Sequence, residues 1–186
     1  MAALKPDQLE IDADGATARP PGTRVIPEPG RYDIDTTFSA VTFRTRHLFG
    51  LAPVRGSFAI RTGTITITEP LTDSSIHAEI DPASFRTDNG QRDSNVRSAR
   101  LLDADRYPVI TFRSEGMNGL ALEGALTVRN VTMPVSLSIE QCAVTPRSFN
   151  AHASTRIDRN EFGVTAYRGL AARYLDISVE VRCVRS

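Results

Sequence analysis

The chain has 186 residues, 22 basic and 22 acidic side chains, and 40% hydrophobic residues. That length suits one domain with or without a tail, and excludes a TIM barrel or a two-domain dehydrogenase. Zero formal charge argues against a dedicated nucleic-acid binder and a purely electrostatic membrane binder, and no apolar run approaches the roughly 18 residues of a membrane-spanning helix.

Residues 1–29 hold five of the eleven prolines (Pro6, Pro20, Pro21, Pro27 and Pro29), several acids and no aromatic residue. Such a stretch buries too little apolar area to offset its ordering entropy, so a flexible N-terminal extension is expected. Asp7, Glu10, Asp12 and Asp14 interrupt the apolar core that a secretory signal needs, and a cytoplasmic location is expected. Lys5 is the single lysine, a bias that a GC-rich genome explains.

From Gly30 the pattern changes to period two, which marks strands with one apolar face. Val41 and Phe43 alternate with Thr42 and Arg44, and Val54, Gly56, Phe58 and Ile60 with Arg55, Ser57 and Ala59. The same holds around Ile65 and Ile67, and through Ile76, Ala78 and Ile80. It continues at Ile110 and Phe112, through Leu120 to Val128, and through Val135, Leu137 and Ile139. Phe149, Ala151 and Ala153, then Ile177, Val179 and Val181, complete eight or nine strands. No long helical pattern covers a second face, so the sheet must fold on itself as a sandwich or a closed barrel. Two long connections, 86–108 and 159–173, interrupt the meander, and connections of that length usually carry function. In the first, Asp88 or Asn89 can cap a short helix from about Gly90 to Ala99, anchored by Val96. Arg129-Asn130 reads as a tight hairpin turn, with Asn130 in the positive-φ position.

Several inward positions are small: Gly56, Ala78, Ser114, Gly124, Ala151 and Ala153. An eight-stranded barrel can hold one small ligand, and small residues on several strands leave room for it. Long Leu and Phe side chains opposite those positions fill the same room in the alternative reading.

The motifs of catalysis are missing. There is no G-x-S-x-G elbow, no H-E-x-x-H and no phosphate-binding glycine loop. His47 falls on the inward phase while His77 and His152 fall on the outward one, so the three histidines do not converge on a metal. Cys142 and Cys183 form neither a disulfide framework nor a zinc site. Strand phase puts Cys142 outward and Cys183 inward, and they are expected to be free thiols.

The motifs taken together resemble the YceI-like family of lipocalin-like barrel proteins. They begin with Tyr32-x-Ile34-Asp35, Ser39-x-Val41-x-Phe43, Arg46-His47-Leu48 and Val54-x-Gly56-x-Phe58. Arg92-Asp93, Arg97-Ser98, Leu101-Leu102-Asp103 and Tyr107-Pro108 follow in the first long connection, then Phe112 and Ser114. The Gly124 to Val135 hairpin and Ile157-x-Arg159-x-x-Phe162-Gly163 close the set. The resemblance covers Gly30 to about Val184 and implies an all-β, antiparallel, eight-stranded extended lipocalin-like barrel, with one or two short helices in its loops. It places the domain at 30–186 and implies an apolar tunnel that binds a long isoprenoid, either a polyprenyl phosphate or a quinone with a polyprenyl tail. The chain departs from the family pattern in the first long connection, where Asn95-Val96 and Leu101-Leu102 replace His-Leu and a pair of aromatics.

The reading that follows is a non-catalytic carrier or reservoir for an isoprenoid lipid. No cofactor is expected beyond that lipid, and no metal, nucleic acid or stable membrane insertion. Strand parity assigns the tunnel lining to Val41, Phe43, Phe58, Ile80, Phe112, Leu122, Gly124, Leu126, Leu137 and Val179. Arg46, His47, Arg92 and Arg97 are the head-group candidates at a mouth, since an arginine can hold a phosphate or polarise a quinone carbonyl. Two rivals remain: an enzyme acting on such a lipid with His47 as acid or base, and a filled-barrel interaction module, such as a homodimer through its outer face.

Overall fold

The alternating segments form nine antiparallel strands in the computed structural model, which describes residues 26–47, 52–114, 116–167 and 171–186. They are β1 (Gly30–Ile34), β2 (Ala40–His47), β3 (Ala52–Ile67), β4 (Ser75–Arg86) and β5 (Ile110–Ser114). β6 (Ala121–Val128), β7 (Val131–Val144), β8 (Ser148–Asp158) and β9 (Tyr174–Arg185) complete the sheet. Eight of them close a ring in the order β3, β2, β9, β8, β7, β6, β5, β4, and β4 returns to β3. Closure removes the free edges that would otherwise invite aggregation. The sandwich alternative is thereby decided in favour of the barrel.

β1 does not add a ninth stave. It pairs with the last residues of β3 (Gly30 opposite Ile67) and of β9 (Ile34 opposite Cys183), while β2 pairs with the earlier halves of the same two strands. The two short strands therefore lie end to end between two long ones. The break falls at residues 35–39, where Asp35 accepts the Thr37 amide at 3.1 Å and Phe38 is left exposed under the Arg182 guanidinium.

Three irregularities in the ladders set which side chains face inward. In β4 the register moves from Asp81 opposite Ala59 to Arg86 opposite Ser57, which brings Phe85 to the interior. In β3 the register moves from Ile60 opposite Ile80 to Thr62 opposite Glu79, so Arg61 is the extra residue. The inward phase changes from even to odd there, and Ile65 and Ile67 join the same interior as Phe58 and Ile60. In β7 the register moves from Ile139 opposite Ala153 to Gln141 opposite His152, with Glu140 extra. Beyond that point Cys142 faces the interior beside Ala151. This corrects the outward assignment of Cys142: a bulge inverts every side chain that follows it. Both cysteines are free, and β8 runs between their strands. Two ladder spacings of about 4.8 Å put them beyond disulfide reach.

All the long connections gather at one end of the barrel. There α1 (Gly90–Arg97) is capped by Asn89, whose side chain accepts the Arg92 amide at 2.9 Å. The helix ends two residues short of the expected Ala99. The β6–β7 hairpin turns at the expected place, but the positive φ belongs to Arg129 (58°) and not to Asn130. Arg129 and Arg106 flank the Tyr107 ring, at 5.4 and 5.3 Å from its centroid, which ties the hairpin to the first long connection. Residues 26–29, assigned by composition to the extension, lie against the opposite end. Tyr32 donates its hydroxyl to the Glu28 carbonyl at 2.8 Å, and Arg185 holds the Glu28 carboxylate at 2.9 Å. The expectation for residues 1–25 falls outside the described residues.

Candidate ligand-binding cavity

The interior side chains do not close into one packed core. They form separate clusters along the wall: Tyr32, Ile65, Phe149 and neighbours at one end, Phe112, Leu122 and Leu137 at mid-height, and Phe43, Val54 and Phe85 at the α1 end. Between them runs a cavity of about 930 Å³. That volume is at the upper end of ordinary small-molecule sites. Its wall is overwhelmingly aliphatic and aromatic, drawn from every stave of the ring.

Of the ten positions assigned to the lining, Val41, Phe43, Phe58, Ile80, Phe112, Leu122, Leu126, Leu137 and Val179 stand on this wall. Gly124 does not. A Cβ on Gly124 would meet the Phe112 ring at 2.6 Å and the Arg113 carbonyl at 2.5 Å, so the glycine is the seat of an aromatic ring and not an open recess. Gly56 seats Phe43 in the same way, at 2.6 Å. Ala78, Ala151 and Ala153 do open onto the cavity. Ser114 is buried and spends its hydroxyl on the carbonyls of Glu123 (2.5 Å) and Gly116 (3.0 Å).

The α1 end is closed by apolar groups from both long connections. Phe43, Phe58 and Phe85 pack with ring centroids 5.2 to 6.0 Å apart, and Val96 of α1 packs on them. Leu101, Phe162 and Val164 form a second plug beside them. Polar groups enter the wall at this end as Thr45, Thr155, Arg92 and Arg159.

Each head-group candidate has its own position. Arg92 reaches the cavity and donates its Nε to the Thr87 hydroxyl at 2.9 Å. Arg97 is directed elsewhere: it is half-buried, donates to the Ala83 carbonyl at 3.3 Å, and takes no part in the wall. The assignments to Arg46 and His47 fall outside the described side chains, although the backbone of both belongs to β2. Between the two arginines of α1, Asp93 turns inward and accepts the Thr87 hydroxyl at 2.6 Å and amide at 3.0 Å. Burial alone would raise the Asp93 pKa. The Thr87 bonds and the Arg97 and Arg92 charges outweigh it and hold the carboxyl below its usual range.

Sequence reasoning left two groups off the list. Arg159 donates to the carbonyls of Val164, Ala166, Ala171 and Ala172 at 2.5 to 3.3 Å, and so gathers the second long connection over the cavity. Its signal was its place in the Ile157-x-Arg159-x-x-Phe162-Gly163 element. Cys142 joins the wall beside Ala151 because of the β7 bulge, which leaves no mark in the apolar alternation.

On the outer face, His152 accepts or donates at both ring nitrogens: Glu140 lies 2.9 Å from Nδ1 and Ser178 2.6 Å from Nε2. The order matches a charge-relay triad. However, β9 is paired on both sides at Ser178, so its backbone amides are spent in the ladder and none is left to stabilise an oxyanion. Among the described residues no cluster of three or more His, Cys, Asp or Glu is placed to hold a metal, and no helix is long and apolar enough to cross a membrane.

The family model for the YceI-like domain matches residues 32–184. A UPF0312 protein of Vibrio cholerae is 26% identical over 167 residues, 83% of this chain and 87% of its own length. Protein YceI of Escherichia coli O157:H7 is 28% identical over 166 residues, 83% of this chain and 86% of its own. Among solved structures, Burkholderia cenocepacia BcnA superposes with a TM-score of 0.69 at 20% identity, covering 80% of this chain and 98% of that one. A polyisoprenoid binding domain from Saccharophagus degradans gives 0.64 at 12% identity, covering 86% of this chain and 100% of that one.

Proposed function

The chain belongs to the YceI-like domain family, and from that membership we propose that its barrel binds and carries a long-chain isoprenoid lipid without transforming it. The observation that carries the proposal is the cavity itself: about 930 Å³, walled by apolar side chains from every stave, with its few polar groups near the ends. A linear hydrocarbon offers no directional handle, so its affinity must come from apolar area removed from water, about 0.8 kcal/mol per buried CH₂. A long, narrow, apolar bore supplies that area along the whole chain. The structural neighbour from Saccharophagus degradans is a polyisoprenoid binding domain, which supports an isoprenoid over a straight acyl chain. Arg92 at the α1 end is suited to a polyprenyl phosphate or a quinone carbonyl.

A carrier without catalysis fits the interior better than an enzyme does. In the one Glu-His-Ser arrangement among the described side chains, His152 and Ser178 lie on the outer face and take no part in the cavity wall, while Glu140, the bulge residue, stands at its edge. The experiment is binding of labelled polyprenyl phosphate and polyprenyl quinone to delipidated protein, with product analysis after prolonged incubation. The proposal expects affinity that rises with tail length and survives a change of head group, and ligand recovered unchanged. Affinity independent of tail length, or conversion of the ligand, would overturn it.

A further inference from the structure

Three arginines stand together on the outer face near the α1 end, on three adjacent staves. Arg44 of β2 is directly opposite Arg55 of β3, and Ser57, the next outward residue of β3, is opposite Arg86 of β4. Direct cross-strand partners have Cβ atoms about 4.5–5.5 Å apart, and diagonal ones roughly 7–8 Å. All three side chains are exposed. None of them makes an ion pair or side-chain hydrogen bond among the described residues. The carboxylates that could neutralise them are occupied or displaced. Asp176, opposite Arg44 on β9, is held by Arg156 at 2.7 Å, and Asp93 is buried on Thr87. Asp88, two residues past Arg86, makes no ion pair among the described residues.

Like charges directly opposite in a sheet destabilise it. The Arg156–Asp176 and Arg61–Asp81 pairs border the patch and leave its three arginines unmatched among the described residues. Guanidinium groups hold phosphate oxygens through two parallel hydrogen bonds, which a lysine cannot imitate. Small hydroxyl residues, Thr42 and Ser57, fill the space between the arginines and leave the patch flat. A free phosphate is normally retained by a walled site with buried donors. A flat, open trio on a sheet matches an array of head groups better.

We propose that Arg44, Arg55 and Arg86 dock the barrel on the phosphates of an anionic bilayer, with the α1 end beside the membrane. The choice of a bilayer rests on the lipid-carriage reading, since an isoprenoid is taken from and returned to a membrane; the arginine patch itself does not. The formal charge of zero excludes long-range attraction of the whole molecule. Docking is therefore a short-range property of this patch, and falls with ionic strength.

The test is sedimentation of the full chain with vesicles of phosphatidylglycerol and phosphatidylcholine, against phosphatidylcholine alone. The patch variant is Arg44→Gln/Arg55→Gln/Arg86→Gln. A charge-matched control, Arg31→Gln/Arg113→Gln/Arg147→Gln, removes three arginines from other parts of the surface. The proposal expects binding to the anionic vesicles only, weakened about ten-fold or more in the patch variant and by less than about two-fold in the control. Extraction of prenyl lipid from each variant is measured in parallel. Patch-dependent sedimentation with no prenyl lipid in any sample leaves docking standing and removes the carriage reading. Absence of binding to anionic vesicles, equal losses in both variants, or saturable binding of inorganic phosphate without sedimentation would overturn docking.

Discussion

Ala153 and Gly124 are both small and both inward, yet they do opposite things. Ala153 opens onto the cavity, whereas the Phe112 ring rests on Gly124. Ala153→Phe is expected to narrow the bore and leave the thermal midpoint within a few degrees, while the protein loses its retained lipid. Gly124→Phe has no space to enter, and over-packing of this kind costs about 1–3 kcal/mol or more. Paired melting curves and lipid recovery check both outcomes; a destabilised Ala153→Phe that keeps its lipid would contradict the assignment of the wall. Asp93 supplies a second test at this scale. Its folded pKa is depressed, so its contribution to stability is fully present above the unfolded value of about 4 and is lost as pH falls through the lower folded value. The melting temperature of the natural sequence should therefore fall more steeply below about pH 4 than that of Asp93→Asn. Parallel acid limbs would show that the Thr87–Asp93 contact does not charge-stabilise α1.

The elements were legible in the sequence wherever burial has a simple period. The strand alternation, the Asn89 cap and both long connections stand where the pattern put them. What the pattern could not express was the bulge. Glu140 occupies one extra place in β7 and carries Gln141 and Cys142 across to the other phase. Nothing in Ile139-Glu140-Gln141-Cys142 distinguishes that from unbroken alternation. The same limit applied to Gly56 and Gly124, since composition records a missing side chain but not the ring that covers it. Arg46 and His47 were chosen from loop position, His47 with the inward strand phase in addition, and their side chains fall outside the described residues. The bulge carries its own prediction. Cys142 faces the cavity, and burial pushes its thiol up; burial and then the neighbouring Cys142 push the Cys183 thiol up to about 12. A small neutral alkylating agent near pH 7 should label the exposed Cys142 and leave the buried Cys183 untouched. Loading the cavity with a prenyl lipid should protect Cys142, as intact-protein mass spectrometry would read. Rapid labelling of Cys142 that lipid does not affect would return that residue to the outer face.

At the scale of the molecule, β1 and β2 share one stave, nine strands make an eight-membered ring, and both long connections close the same end. The consequence is a bore with a polar border and an apolar length, in a shell whose outer surface is charged on both signs. On the proposed function such a shell solves a solubility problem: a prenyl chain would be shielded from water by aliphatic walls while the arginines and acids outside remain hydrated. Organic extraction of the purified full chain, followed by mass spectrometry of the extract, tests this most directly. The account predicts a stoichiometric prenyl-chain lipid, lost from Ala153→Phe; an extract holding only straight-chain lipids, or none that the empty protein will take up again, would contradict it.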